Sequence, residues 1–158
     1  MNTEIYRVFK AINIDSLCKD DMDELLRFFL VTRNDLIRNH IAFIFADLQY
    51  EKAVPYILKK INEKGLAQTN GSLVFSLTSF DMSKYFIQLV QIVCNHEYEP
   101  RLMAYDIIQK HISSMSLLDR NKSIMMLEER RRELEEMGEE MGENGALHFV
   151  EKTIELLS

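Results

Sequence analysis

Tryptophan is absent from this sequence, and glycine, proline and cysteine are scarce, with five, two and two residues among 158. Each shortage removes a class of structure. Sandwiches and barrels need a turn every eight to twelve residues or so, and so few Gly and Pro cannot supply them. The two cysteines, Cys18 and Cys94, form no paired motif in a chain long enough to hold together without a covalent staple, which points to a reducing, intracellular setting. Cys94 closes the apolar run after Gln91 and reads as a small buried hydrophobe. Long apolar runs are missing too. The densest stretch, Ile41 to Leu48, is interrupted by Asp47 and falls far short of the roughly 18 residues of a membrane span. Met1 to Lys10 carries Glu4, Arg7 and Lys10 instead of the apolar core of a secretion signal, so a cytoplasmic location without membrane contact is expected. Positive charge is also in deficit. Nineteen basic residues face 25 acidic ones for a net −6, which disfavours nucleic acid and makes a basic protein the natural electrostatic partner.

What is present is helix-forming. Apolar residues make up 47% of the chain and charged residues 28%, a globular balance, with nine Met and nine Phe as bulky core material. Period-3.6 patterning predicts a helix over about Glu4–Ile12 and a second, capped by Asp20 or Asp21, carrying Leu25, Leu26, Phe28, Phe29 and Leu30. Asn34 is the expected N-cap of a third, with Asp35 in its positive first turn and Ile37, Ile41, Ile44, Phe45 and Leu48 on one face. A fourth spans about Ala53–Glu63, with Pro55 tolerated in its first turn. A fifth opens at Asn70-Gly71 and runs through Phe80, and a sixth starts at Asp81 and ends near Cys94. A seventh opens over Glu97–Pro100 and reaches Ile112; a long eighth covers Leu117 to about Met137; a glycine-rich acidic bend, Gly138–Gly145, leads to a last helix, Ala146–Leu157. Phe45, Leu48, Leu58, Leu77, Leu89 and Ile108 are the expected core.

Short helices joined by short breaks pack antiparallel to their neighbours, in a closed bundle or a stack of hairpins. An internal repeat favours the stack. Ile41–Phe45 aligns with Leu73–Leu77 at a shift of 32 residues, and the same shift brings Leu48 onto Phe80, Ala53-Val54 onto Tyr85-Phe86 and Ile57-Leu58 onto Leu89-Val90. A second correspondence carries Arg38, Ile41, Ala42 and Phe45 onto Arg101, Ala104, Tyr105 and Ile108.

The run Asn34-Asp35-Leu36-Ile37-Arg38, with Ala42, Phe45-Ala46, Leu48 and Ala53-Val54-Pro55, resembles one unit of the HEAT-like (PBS-lyase-type) repeat family, best over Asn34–Ile61. The resemblance implies an all-α, right-handed α-solenoid of about three to four antiparallel helix hairpins. The whole chain, 1–158, would form one domain, with hairpins over about 21–112 and a non-repeat C-terminal helical cap over about 117–158. It also implies structural roles for Arg38 and Arg101, with the Arg38 guanidinium tied to Asp35, Asp47 or a carboxylate such as Asp23 at the hairpin turns.

Catalytic patterns are thin. His40, His96, His111 and His148 contain no pair at metal-ligand helical spacing, the glycines form no phosphate-cradling loop, and Cys18 has no nearby His, so neither metal, cofactor nor catalytic residue is expected. Two acidic clusters and several tyrosines offer a binding surface instead. Asp20, Asp21, Asp23 and Glu24 open one helix; Glu135, Glu136, Glu139, Glu140 and Glu143 follow Arg130–Arg132 at the end of another. Tyr56 and Tyr85 are candidate apolar anchors, with Tyr50 and Tyr98 similarly placed at turns or second helices. The expected function is non-enzymatic protein binding, in its sharpest form an immunity protein neutralising a basic toxin such as a nuclease. An adaptor or regulatory scaffold subunit, or a small bilin-lyase-like cofactor handler, are the alternatives.

Overall fold

A computed structural model of the chain describes residues 13–63, 70–139 and 142–158. The helix expected over Glu4–Ile12 lies outside them. Among the described residues the protein is all-α, with eight α-helices, short 3-10 turns and no strand: α1 (Lys19–Val31), α2 (Asp35–Asp47), α3 (Val54–Ile61), α4 (Gly71–Ser76), α5 (Phe86–Asn95), α6 (Tyr98–His111), α7 (Leu117–Glu136) and α8 (Ala146–Leu157). They fall into two compact units, Met1–Phe80 and Asp81–Ser158.

In the first unit α2 is the central element, packed against α1 on one side and α4 on the other, while α3 packs on α4. Its N-terminus is set by Asn34, whose side chain accepts the Ile37 N–H at 3.1 Å and satisfies one of the helix's orphan donors. Apolar residues at i, i+3 and i+4 spacing then put Ile37, Ile41, Ile44 and Phe45 inside, each 3% exposed or less. Phe45 meets Phe29 of α1 edge-on at 5.9 Å between ring centres, a geometry that adds about 0.5–1.5 kcal/mol beyond simple burial. Leu48 departs from the expected core: it is 36% exposed. It is the C-cap of α2, and Gln49 next takes a left-handed conformation, φ 52°, so the periodic pattern stops one turn before Leu48 can face inward. Pro55 sits in the first turn of α3, where its missing N–H is not needed.

In the second unit α5 packs on α6, α7 and α8, α7 packs on α8, and α6 packs on α8. α5 carries the most apolar face, with Phe86, Leu89, Val90, Ile92 and Val93 buried to 1% exposure or less. It begins at Phe86, not at Asp81 as expected. The Asp81 carboxylate accepts the Ser83 N–H at 3.0 Å and the Tyr85 N–H reaches the Met82 carbonyl, so a turn takes the backbone that a helix would have used. The same turn pushes Met82 into the core, fully buried. α7 is capped by Ser116, whose hydroxyl accepts the Asp119 N–H at 3.0 Å.

The segments matched at a shift of 32 residues share a burial pattern. Ile41, Ala42, Ile44 and Phe45 are buried, as are Leu73, Val74, Ser76 and Leu77, while Phe43 and Phe75 between them are not. The helices that follow start at Val54 and Phe86, again at that shift.

Candidate functional site

The first acidic cluster opens α1, but two of its four carboxylates are engaged within their own unit. The N-cap is Cys18, not the expected Asp20 or Asp21. Asp21 Oδ2 accepts the Cys18 N–H at 2.8 Å, reaching back across the first turn, and this bond holds its pKa below the usual carboxylate value. Asp23 faces the turn after α2, where its Oδ1 takes an ion pair from Lys52 at 2.8 Å and a hydrogen bond from the Tyr50 hydroxyl. These partners, Lys52 first, also lower its pKa. Asp20 and Glu24 are exposed, and Tyr56 on α3 is 37% exposed.

In the second unit, Glu135 and Glu136 are exposed at the end of α7, and Glu143 is exposed in the bend. Glu135 lies 3.9 Å from Arg131, which pairs more closely with Glu128, and Arg130 pairs with Glu133 at 2.7 Å. Glu139 has a different role. Its Oε1 accepts the Ala146 N–H at 3.0 Å, placing a carboxylate on the positive end of α8. Glu140 lies outside the described residues. Tyr85, the N-cap of α5, is half-buried.

Formal charge divides unevenly between the units. Met1–Phe80 contains ten basic and ten acidic residues, whereas Asp81–Ser158 contains nine and fifteen, so the net −6 belongs wholly to the second unit.

The arginines are built into the helix termini. Arg38 is fully buried, and its guanidinium pairs with Asp35 at 2.8 Å one turn back. Arg101, 9% exposed, donates from Nε to the Val93 carbonyl at 3.1 Å and from Nη2 to the His96 carbonyl. Arg130 adds a bond to the Cys94 carbonyl at 3.0 Å. Two guanidinium groups therefore satisfy the carbonyls at the negative end of α5. Arg38 and Arg101 each stand four residues after the N-cap of their helix, Asn34 and Glu97.

No protein-family model, curated protein or solved structure matches this chain.

The remaining chemistry is dispersed. Among the described residues, no three His, Cys, Asp or Glu side chains stand where they could share a metal ion, and no helix is long and apolar enough to cross a membrane. Burial lowers the His96 pKa and pushes the Cys94 thiol up to about 11, away from reactive thiolate character. His111 Nδ1 is 3.9 Å from Asp81, and His148 stands edge-on to Phe149.

Sequence reasoning missed one surface. α7 exposes Leu117, Leu118 and Met125 to between 63% and 73%, and a groove of about 580 Å³ beside it is lined by Ile87 of α5 and by Ile124, Met125 and Met126, together with charged residues of α7 such as Lys122 and Glu128. The available signal was the seven-residue spacing of Leu118 and Met125 on an otherwise polar helix face.

Proposed function

We propose that this chain is a cytoplasmic, non-enzymatic protein-binding module of stacked HEAT-like hairpins whose partner is basic. In its most specific form it is an immunity protein that occupies and neutralises a cationic toxin domain. The observation that carries the reading is the confinement of the whole net charge of −6 to Asp81–Ser158. A field of one sign concentrated on one compact unit raises the encounter rate with a partner of the opposite sign.

The hairpin reading draws support from several features: the burial pattern shared by Ile41–Phe45 and Leu73–Leu77, the equivalent starts of α3 and α5, and the equivalent positions of Arg38 and Arg101. In the second unit, α5 packs on α7 and α6 on α8, contacts that a stack of hairpins would make between like helices.

The test is a titration against the partner recovered by pull-down from the native host, at two salt concentrations. Neutralising Glu135 and Glu136 together should slow association and flatten its salt dependence. Neutralising Asp20 and Glu24 should change it less, because the unit that carries them is neutral overall. An uncharged or acidic partner, or rates indifferent to salt and to both variants, would reject the reading.

A further inference from the structure

The outer surface of α7 carries a seam. Leu118, Lys122, Met125, Glu129, Arg132 and Glu136 follow one another at alternating spacings of four and three residues, and all six are exposed. That alternation marks one face of the helix, with Leu118 and Met125 as its apolar positions and the other four charged. At 20 residues α7 offers about 30 Å of it.

The charges on and off the seam are treated differently. Glu128, Arg130, Arg131, Glu133 and Glu135 lie beside it and take part in ion pairs along the helix's own surface. Lys122, Glu129, Arg132 and Glu136 lie on it, and none belongs to an ion pair among the described residues. The groove lined by Ile87, Ile124, Met125 and Met126 is bordered by Lys122, Glu129 and Arg132 of the same seam. Methionine is the adaptable side chain suited to receiving another protein's apolar residue.

We propose that this seam and groove form the docking site for an amphipathic helix of the partner, with a leucine or phenylalanine entering over Met125 and Ile87 and lysine or arginine residues on its flanks meeting Glu129 and Glu136. The proposal rests on the reading of a basic protein partner and locates where that partner is held. Charge selects the occupant. A cationic helix is drawn to a unit of net charge −6, whereas a second copy of the chain brings the same −6 and is repelled at long range. Lys122 and Arg132, on the same seam, fix direction by repelling basic residues placed opposite them.

The experiment uses the full chain and two fluorescently labelled peptides with one apolar face in common, one flanked by lysine and arginine and the other by glutamate. Anisotropy titrations should give at least about tenfold tighter binding of the cationic peptide. Met125→Glu and Ile87→Glu should each weaken that binding about tenfold or more, while Met125→Leu keeps it. Met125 is 71% exposed, so its variants should melt like the parent, separating lost docking from lost folding. Equal binding of the two peptides, no binding of either, or full binding by Met125→Glu would overturn the docking site. The salt titration with the recovered partner would still judge the basic-partner reading separately. A concentration-dependent dimer in sedimentation, abolished by Met125→Glu, would assign the seam to a second copy and also overturn the proposal.

Discussion

The Asp23 carboxylate lies 2.8 Å from the ammonium of Lys52, tying the second turn of α1 to the 3-10 turn before α3. The Tyr50 hydroxyl donates to the same oxygen, so a residue that reads as partner-facing in the sequence is a junction within its own unit.

That junction makes stability depend on pH in a definite direction. Lys52 and Tyr50 depress the folded-state pKa of Asp23, so its contribution is present above the ordinary carboxylate value and lost as pH falls through the depressed one, below about pH 4. On the alkaline side, the pKa of Tyr50 is raised by burial and by Asp23, and that of Lys52 by its bond to Asp23. Both contributions hold at neutral pH and fade above about pH 10. Melting curves across pH should show both losses in the parent and a smaller acid loss in Asp23→Asn.

Core truncations should separate buried leucines from the exposed one. Leu58→Ala, Leu89→Ala and Phe45→Ala remove side chains no more than 4% exposed and should each cost about 2–5 kcal/mol in chemical denaturation. Leu48→Ala removes one that is 36% exposed and should cost less, about 1 kcal/mol. A large loss at Leu48 would contradict the cap geometry at the end of α2.

Arg101→Ala strips two carbonyls, those of Val93 and His96, of their donors at the buried end of α5. The expected cost is about 1–3 kcal/mol. Amide exchange should quicken in the last turn of α5. Arg101→Lys should recover only part of the loss, because a single ammonium lacks the planar fork that spans both carbonyls.

Thiol titration should resolve the two cysteines. Cys18 is exposed, whereas Cys94 is buried with its pKa pushed up to about 11. A disulfide reagent at neutral pH should modify one thiol in the native protein and both after denaturation. Rapid modification of both in the native state would contradict the packing of α5.

Ser123 is fully buried on α7, and its hydroxyl has no hydrogen-bond partner among the described residues. Removing an unsatisfied buried hydroxyl relieves a desolvation cost, so Ser123→Ala should stabilise the protein by up to about 1 kcal/mol. A loss of stability would reveal a bound water or a partner for the hydroxyl.

Several elements were legible from sequence because their causes are local. Asn34 caps α2 with its own side chain, Pro55 fits the first turn of α3, and the apolar spacing after Gly145 marks Ala146–Leu157 to the residue. Where local signals compete, the reading slipped: Asp81 can start a helix or close a turn on Ser83, and only the burial of Met82 shows that the turn prevails. Formal charge was legible as a total, but not as the property of one compact unit, since the boundary after Phe80 comes from helix packing.

The sequence by itself determined the all-helical class, the positions of most helices and their inward faces, because capping and 3.6-residue periodicity act over a few residues. Tertiary structure alone decided which charged groups are free. Asp23 meets Lys52 across 29 positions, Arg130 reaches the Cys94 carbonyl across 36, and Glu139 caps a helix that begins seven residues later. A carboxylate has the same formal charge in every context. Whether it faces solvent, a cation or an orphan N–H depends on what the folded chain brings beside it.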